Sequence, residues 1–322
     1  MSQLTTVRTA SRTAGSTQWW HLTFTTGGFD VADGIIEELV TPLVAQARSL
    51  GAKRWYFSRS GDPATQVRVN IQAHPRVLEK LQGLQRDQRI HRSAARPKVS
   101  IRQHTSSPAV DLYYFGGVGE PDPQLEADLI TYGGAAGLEL AEQVFELSSD
   151  LSLWAVQRFT RMQSRSALGA LILFDSTQAM MRGPRSGTWP ERRRDSWDSY
   201  WDNHLAACTA ELGVRAPAVR QAMTEQVRAK SPAFHSLMGA TAAEATVQHW
   251  RRRWFSALDS YLSSADKAGV SRGARHLTVY QAHMTLNRLG FLPREEAALG
   301  LHARTWSPQV PAGARRRLHS TS

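Results

Sequence analysis

A single cysteine, Cys208, stands in 322 residues. An intrachain disulfide is therefore excluded, and so is a zinc site built on cysteine pairs. No base is evident for Cys208, which is expected to be an inert packed thiol. Long apolar runs are missing too. The longest, Ala167–Phe174, has eight residues, against the roughly 20 that cross a bilayer. No membrane span is expected. The first residues, Met1 to Thr17, are rich in Ser and Thr and lack the apolar core of a secretory signal. They are read as a flexible N-terminus, and the protein as cytoplasmic. Lysine is scarce as well: 34 Arg stand against 5 Lys. That skew is what GC-rich coding produces without any binding role.

What is present is a net charge of +11 and a hydrophobic fraction of 41%. The second value suits a folded chain able to bury a substantial core. The first has a competing functional reading, because Arg192–Arg194, Arg251–Arg253 and Arg315–Arg317 could attract an anionic partner by long-range steering. No zinc finger, basic zipper or RNP-type aromatic motif accompanies them. An acidic peptide therefore outranks nucleic acid. Gly133-Gly134 is followed by Ala-Ala-Gly rather than Gly-Lys-Ser/Thr, so no phosphate loop is present, and no His pair at metal-ligand spacing is evident.

Periodicity predicts an α+β protein. Trp19–Thr25 alternates as a strand, Val31–Ser49 reads as an amphipathic helix, and Arg54–Arg59 with Gln66–Ile71 reads as a hairpin across Ser60-Gly-Asp-Pro63. A helix over Pro75–Gln85 and strands at Val99–His104 and Leu112–Gly116 complete an antiparallel sheet of ferredoxin-like β-α-β-β-α-β character. Beyond Pro121 the period is helical. Helices are predicted over Leu138–Leu147, Asp150–Gln163, Ala167–Met180, Trp197–Leu212, Ala216–Ala229, Thr246–Ala268 and His276–Leu289, with breaks at Gly133-Gly134, Gly183-Pro184 and Ser231-Pro232. The expected domains are a flexible stretch 1–17, a sheet subdomain 18–120, a helical subdomain 121–306 packed on the sheet, and a basic tail 307–322.

The stretch His276–Gly290 carries the most chemistry. Tyr280, His283 and Asn287 recur at i, i+3 and i+7 and so project from one helix face. Gly290 supplies a helix stop, and Pro293 opens a second helix at its first turn.

Several segments together resemble a known family. Trp55-Tyr-Phe-Ser-Arg-Ser-Gly-Asp-Pro63 with Val67-Arg-Val-Asn70, then Thr131-Tyr-Gly-Gly134 with Glu139, Phe145 and Ser148-Ser149, then His283-Met and Asn287-Arg-Leu289 are similar to the C-terminal elimination domain of nisin-type lantibiotic dehydratases. That domain removes glutamate from glutamylated Ser or Thr. The present chain is expected to be a freestanding version, resembling the bacterial pyridine synthases of thiopeptide biosynthesis. Those enzymes join two dehydroalanines of a leader-bearing azole peptide by a formal [4+2] aza-cycloaddition, then lose water and the leader. Elimination domains usually carry an Arg-x-Arg pair on the second hairpin strand and an Arg before Tyr-Gly-Gly. This chain keeps Arg68 but has Asn70 and Thr131. An enzyme that gathers a leaving glutamate needs those guanidiniums, because Arg binds carboxylate bidentately.

The resemblance implies no cofactor and a modified precursor peptide, with acidic leader and azole-containing core, as partner. A homodimer stays open. Positioning alone can supply on the order of 7–11 kcal/mol to such a reaction. Tyr280 as donor and His283 as acceptor would stabilise the iminol form of the reacting amide, and His283 would deliver protons afterwards. Arg68 would polarise a carbonyl, with Arg59 and Arg288 as further candidates. Trp55 and Tyr56 would stack on thiazole rings, and Asn70 and Asn287 would contact the peptide. The plainer readings are a core histidine, a packed tyrosine and a solvated Arg68. Asn287 would then bridge helices, and Arg288 would be a structural ion-pair donor. Trp189, Trp197, Trp201, Trp250 and Trp254 are expected to pack, and Asp195 and Asp198 to pair locally with Arg192–Arg194. Two other functions compete: a glutamate-elimination enzyme and a non-catalytic peptide-binding scaffold.

Overall fold

A computed structural model describes residues 17–25, 28–61, 65–92, 100–106, 123–185, 189 and 194–307. The strand expected at 112–116, the residues before 17, Arg192, Arg193 and the basic tail from 308 lie outside them. The chain divides into two compact units, Met1–Val118 and Gly119–Ser322.

The first unit holds β1 (Gln18–Thr25), α1 (Phe29–Ile35) running through a π-helical turn (Ile36–Val40) into α2 (Thr41–Ser49), then β2 (Arg54–Ser60), β3 (Gln66–Ala73), α3 (Pro75–Arg92) and β4 (Ser100–Ser106). The sheet order is β2-β3-β1-β4, with every neighbouring pair antiparallel. Alternation sets its two faces. Trp20, Ile71 and Trp55 form one buried cross-strand row, and Leu22, Val69 and Phe57 the next. Buried positions of the helices, among them Ile36, Val44, Leu78 and Leu81, add to the same core. The π turn sits just before Pro42, which has no N–H for the helical ladder. The Ile36 carbonyl accepts from the Thr41 N–H and also from Thr41 Oγ1, at 2.9 Å.

The second unit is helical among its described residues: α4 (Pro123–Tyr132), α5 (Ala135–Arg158), α6 (Met162–Arg182), α7 (Trp197–Cys208), a 3₁₀ segment (Ala210–Arg215), α8 (Ala216–Ala243), α9 (Ala245–Lys267), α10 (Ala274–Leu289) and α11 (Pro293–Thr305). The longest apolar run of the sequence lies in α6. Every residue of that helix from Ala167 to Thr177 is buried, because α8, α9, α10 and α11 surround it. An all-round apolar helix belongs at the centre of a bundle.

Three sequence expectations are corrected here. The helix α4 was not anticipated. Leu138–Leu147 and Asp150–Gln163 are one continuous helix, α5, up to Arg158. The expected break at Ser231-Pro232 is absent, since α8 runs through Pro232. An interior proline costs about 3 kcal/mol, and packing offsets it: Phe234 stacks on His302 of α11 at 4.2 Å, and His235 Nε2 donates to the His302 carbonyl at 3.0 Å. The expected stop at Gly290 is present, with φ 93° in the left-handed region. Pro293 opens α11, whose first turn is capped by Glu295 Oε2 accepting from the Leu292 N–H at 2.8 Å.

Candidate functional site

Helix α10 is two-faced. Leu277, Ala282, Leu286, Leu289 and Arg288 are buried, while Tyr280 is 38% exposed and His283 and Asn287 are half-buried. The face predicted from the spacing of Tyr280, His283 and Asn287 is thus the outer face of the helix. Buried threonines on the inner face satisfy their own hydroxyls, Thr278 on the Ala274 carbonyl and Thr285 on the Gln281 carbonyl. Such back-bonding lets a polar residue enter a core without an orphaned donor.

His283 does not stand alone. Its Nδ1 lies 2.7 Å from Glu296 Oε2, and Glu296 Oε1 lies 3.2 Å from His204 Nε2. Glu296 is 1% exposed and His204 1% exposed, so the carboxylate is sandwiched between two imidazoles from α10 and α7. Burial alone would raise its pKa. The hydrogen bonds and charges of His204 and His283 outweigh that, and Glu296 titrates at about 2. For His283 burial pulls the pKa down, and the hydrogen bond and charge of Glu296 more than reverse it, so the imidazole titrates above its ordinary value. An ionised carboxylate only accepts, so His283 Nδ1 carries the proton and Nε2 is left for other chemistry. Gly300 makes this clamp feasible. A Cβ there would lie 2.7 Å from the His204 ring, so only glycine lets α7 and α11 approach this closely.

A second cluster gathers residues of the two later quoted motifs. Arg288 is fully buried, lies over the Phe145 ring at 4.8 Å and donates from Nη1 to Ser148 Oγ at 3.0 Å. Tyr132 packs edge-on against Phe145 at 5.3 Å and faces Tyr280 at 6.5 Å. Burial pushes the Tyr132 hydroxyl well above its ordinary value, the nearby Asp128 adding to the effect. His276 Nε2 donates to the Thr131 carbonyl at 2.8 Å and its ring lies 4.6 Å from Tyr280. The segments around 131–148 and 276–288 thus meet, and Arg288 ties them internally rather than turning to the outside.

In the sheet unit the register separates the remaining candidates. Tyr56, Asn70 and His21 form one cross-strand row, and Ser58, Arg68 and Thr23 the next, on the face opposite the core. Asn70 Oδ1 lies 2.6 Å from His21 Nδ1, and His21 Nε2 lies 2.7 Å from Ser106 Oγ. Arg68 Nε donates to Gln66 Oε1 at 3.2 Å. Trp55 and Arg59 point the other way. Trp55 is 1% exposed and packs along Phe57; Arg59 is 4% exposed and bonds Asp33 at 2.7 Å. Of the two aromatics expected to stack on the peptide, Tyr56 and not Trp55 lies on the outer face, where it packs edge-on against Trp19 at 5.3 Å, and Arg59 is held inside by Asp33.

Other expectations are corrected by long-range partners. Arg251 is taken up by Asp175, Asp195 pairs with Arg275, and Asp198 pairs with Arg304. Trp201 and Trp254 pack as expected, at 2% and 0% exposure. Cys208 does have a base beside it, His204 Nε2 at 3.7 Å, one helical turn away. His204, Cys208 and Glu296 bring three donor atoms within 4.8 Å of one another. Glu296 is hydrogen-bonded to both imidazoles, and burial pushes the Cys208 thiol up. Hydrogen bonds through His204 join the three side chains. Sequence reasoning missed His204 and Glu296. The spacing of His204 and Cys208 was visible, but nothing in one dimension joins α7 to α11.

Among the described residues no helix is long and apolar enough to cross a membrane. No curated protein matches the sequence. The fold is similar to that of TsrL, with a TM-score of 0.59 at 16% identity over 90% of this chain and 94% of that one. It is similar also to TbtD, a pyridine synthase from thiomuracin biosynthesis, at 0.55 and 15% over 89% and 96%. The tRNA-dependent lantibiotic dehydratase MibB from Microbispora sp. 107891 gives 0.50 and 18%, over 93% of this chain but 28% of MibB. At such identities these likenesses concern the fold. The sequence matches the family model for the C-terminal part of lantibiotic biosynthesis dehydratases over residues 19–305, and the chain belongs to that family.

Proposed function

We propose that the protein is a pyridine synthase of thiopeptide biosynthesis, acting on a leader-bearing peptide with azoles and two dehydroalanines. The observation that carries this reading is at Asn70. Where a glutamate-eliminating enzyme would hold a guanidinium for the leaving carboxylate, this chain has an amide that engages His21 at 2.6 Å. The similarity in fold to the pyridine synthase TbtD over nearly the whole of both chains supports it. The strand order, two split β-α-β units sharing one antiparallel sheet, likewise supports a ferredoxin-like first subdomain.

Tyr280 and His283 are assigned to the acid–base work. A hydroxyl that donates to the amide carbonyl and an Nε2 that accepts from its N–H favour the iminol tautomer, the aza-diene of the reaction. Cycloaddition forms the six-membered ring without losing an atom. Departure of water and then of the leader as an amide aromatises it, and His283 supplies and recovers the protons. Arg68 and Tyr56, on the outer face of the sheet, are assigned to peptide binding. The acidic leader is assigned to exposed arginines such as Arg252 and Arg253.

The test is mass spectrometry of the purified protein incubated with a peptide bearing a leader, thiazoles and two dehydroalanines. A released leader amide and a core fragment lighter by one water are expected. Unchanged peptide, together with glutamate release from a glutamylated version, would move the protein to the elimination class.

A further inference from the structure

Glu296 is a carboxylate 1% exposed, and the proposed chemistry gives it no role. It contributes no surface charge and occupies a place where a leucine would be the ordinary choice. Of the two adjacent glutamates, Glu295 is exposed and caps α11, whereas Glu296 turns inward between His283 and His204. An ionised carboxylate with no solvent needs such partners. The arrangement is asymmetric in a useful way: His204 is buried, and the His283 side chain is 38% exposed. One imidazole is structural, and the other reaches the outside.

Resting on the proton-transfer role assigned to His283, we infer that Glu296 is the positioning residue for that histidine, with His204 and Gly300 holding Glu296 in turn. The carboxylate fixes the tautomer with Nδ1 protonated, aims Nε2 outward from α10 and stabilises the imidazolium once Nε2 has taken a proton. A carboxylate behind an imidazole does this in any acid–base site, whatever the fold. Glu296 is the charged group that touches the ring. His204 and Cys208 of α7 stand behind it, Arg165 of α6 lies at the Leu289 carbonyl, and Tyr261 of α9 faces Gln281. On α10 itself His276, Tyr280 and Arg288 are engaged with Thr131, Tyr132 and Ser148. None of these takes the place of Glu296.

The experiment is a nitrogen-15 NMR titration of the histidine side chains in the full chain, read beside pyridine formation. In the unaltered protein His283 should titrate above a free imidazole, with a slowly exchanging Nδ1 proton. Glu296→Gln should lower that titration and mix the tautomers. It should reduce kcat by roughly 10²-fold or more, in the range of acid–base contributions, with KM little changed. Glu296→Asp should recover part of both, and Glu295→Gln should change neither. A His283 titration at or below the free value in the unaltered protein would overturn the inference even if Glu296→Gln failed to fold. So would a folded Glu296→Gln variant with an unmoved His283. The NMR readout needs no substrate, so a protein that makes no pyridine would refute the proposed function and leave this test standing.

Discussion

Arg251 forks onto Asp175, Nε to Oδ2 and Nη2 to Oδ1, at 2.7 Å each. The pair joins α9 to α6, and the guanidinium lies 5.5 Å from the Trp306 ring centroid. Burial pushes Asp175 up, and Arg251 opposes that push. Arg251→Ala strands a buried carboxylate and should cost about 3–5 kcal/mol, measurable by urea denaturation. Arg252→Gln and Arg253→Gln, both at exposed positions, should stay within about 0.5 kcal/mol of the parent. If they hold the leader, these two should raise its KM at low salt, an effect that shrinks as salt screens it.

Gly300→Ala puts a methyl against the His204 ring, 2.7 Å from two of its atoms. The ring is boxed in by Tyr200 and Trp201, so α7 or α11 must move. A loss of about 1–3 kcal/mol is expected, as for other overpacked cores. Thermal denaturation checks it, and a melting temperature equal to the parent's would mean that the helices are looser than their contacts imply.

Stability should depend on pH through the same network, with opposite signs at its two ends. Glu296 has its pKa lowered, so its contribution is complete above the unfolded value of 4.5 and is lost as pH falls toward about 2. His283 has its pKa raised, so its contribution is present below the unfolded value of 6.5 and is lost as pH rises through the folded one. Denaturation of the parent and of Glu296→Gln across pH should therefore show the largest gap between those limits. A gap independent of pH would contradict the charged pairing.

Tyr280→Phe removes one hydroxyl from a residue 38% exposed and should leave the melting temperature unchanged. If Tyr280 donates to the reacting amide, pyridine formation should fall by roughly 10²–10⁴-fold. Full activity in this variant, measured by release of the leader amide, would remove Tyr280 from the mechanism and leave it an edge for Tyr132.

Local rules made much of this molecule legible. Alternation in Trp19–Thr25 and Gln66–Ile71 is enforced by the pleat, and a glycine at 290 and a proline at 293 act on their own backbone. Hence strands, helix ends and the outer face of α10 could be read without coordinates. Proline 232 misled because its penalty is local and smaller than the packing around it. The face of the sheet was harder: alternation placed Trp55 opposite Tyr56, but which of the two faces the core depends on the helices that cover it.

The sequence by itself determined most of the element types and the residues whose order carries the family resemblance. These follow from periods and spacings along one chain. Tertiary structure alone decided which charges are internal. Glu296 looks like its neighbour Glu295, and Arg251 looks like Arg252, until burial and a partner from another helix separate them. The cost of removing a charge from water is met by groups far off in sequence, 92 positions away for His204 and 76 for Asp175, and no local pattern encodes such a meeting.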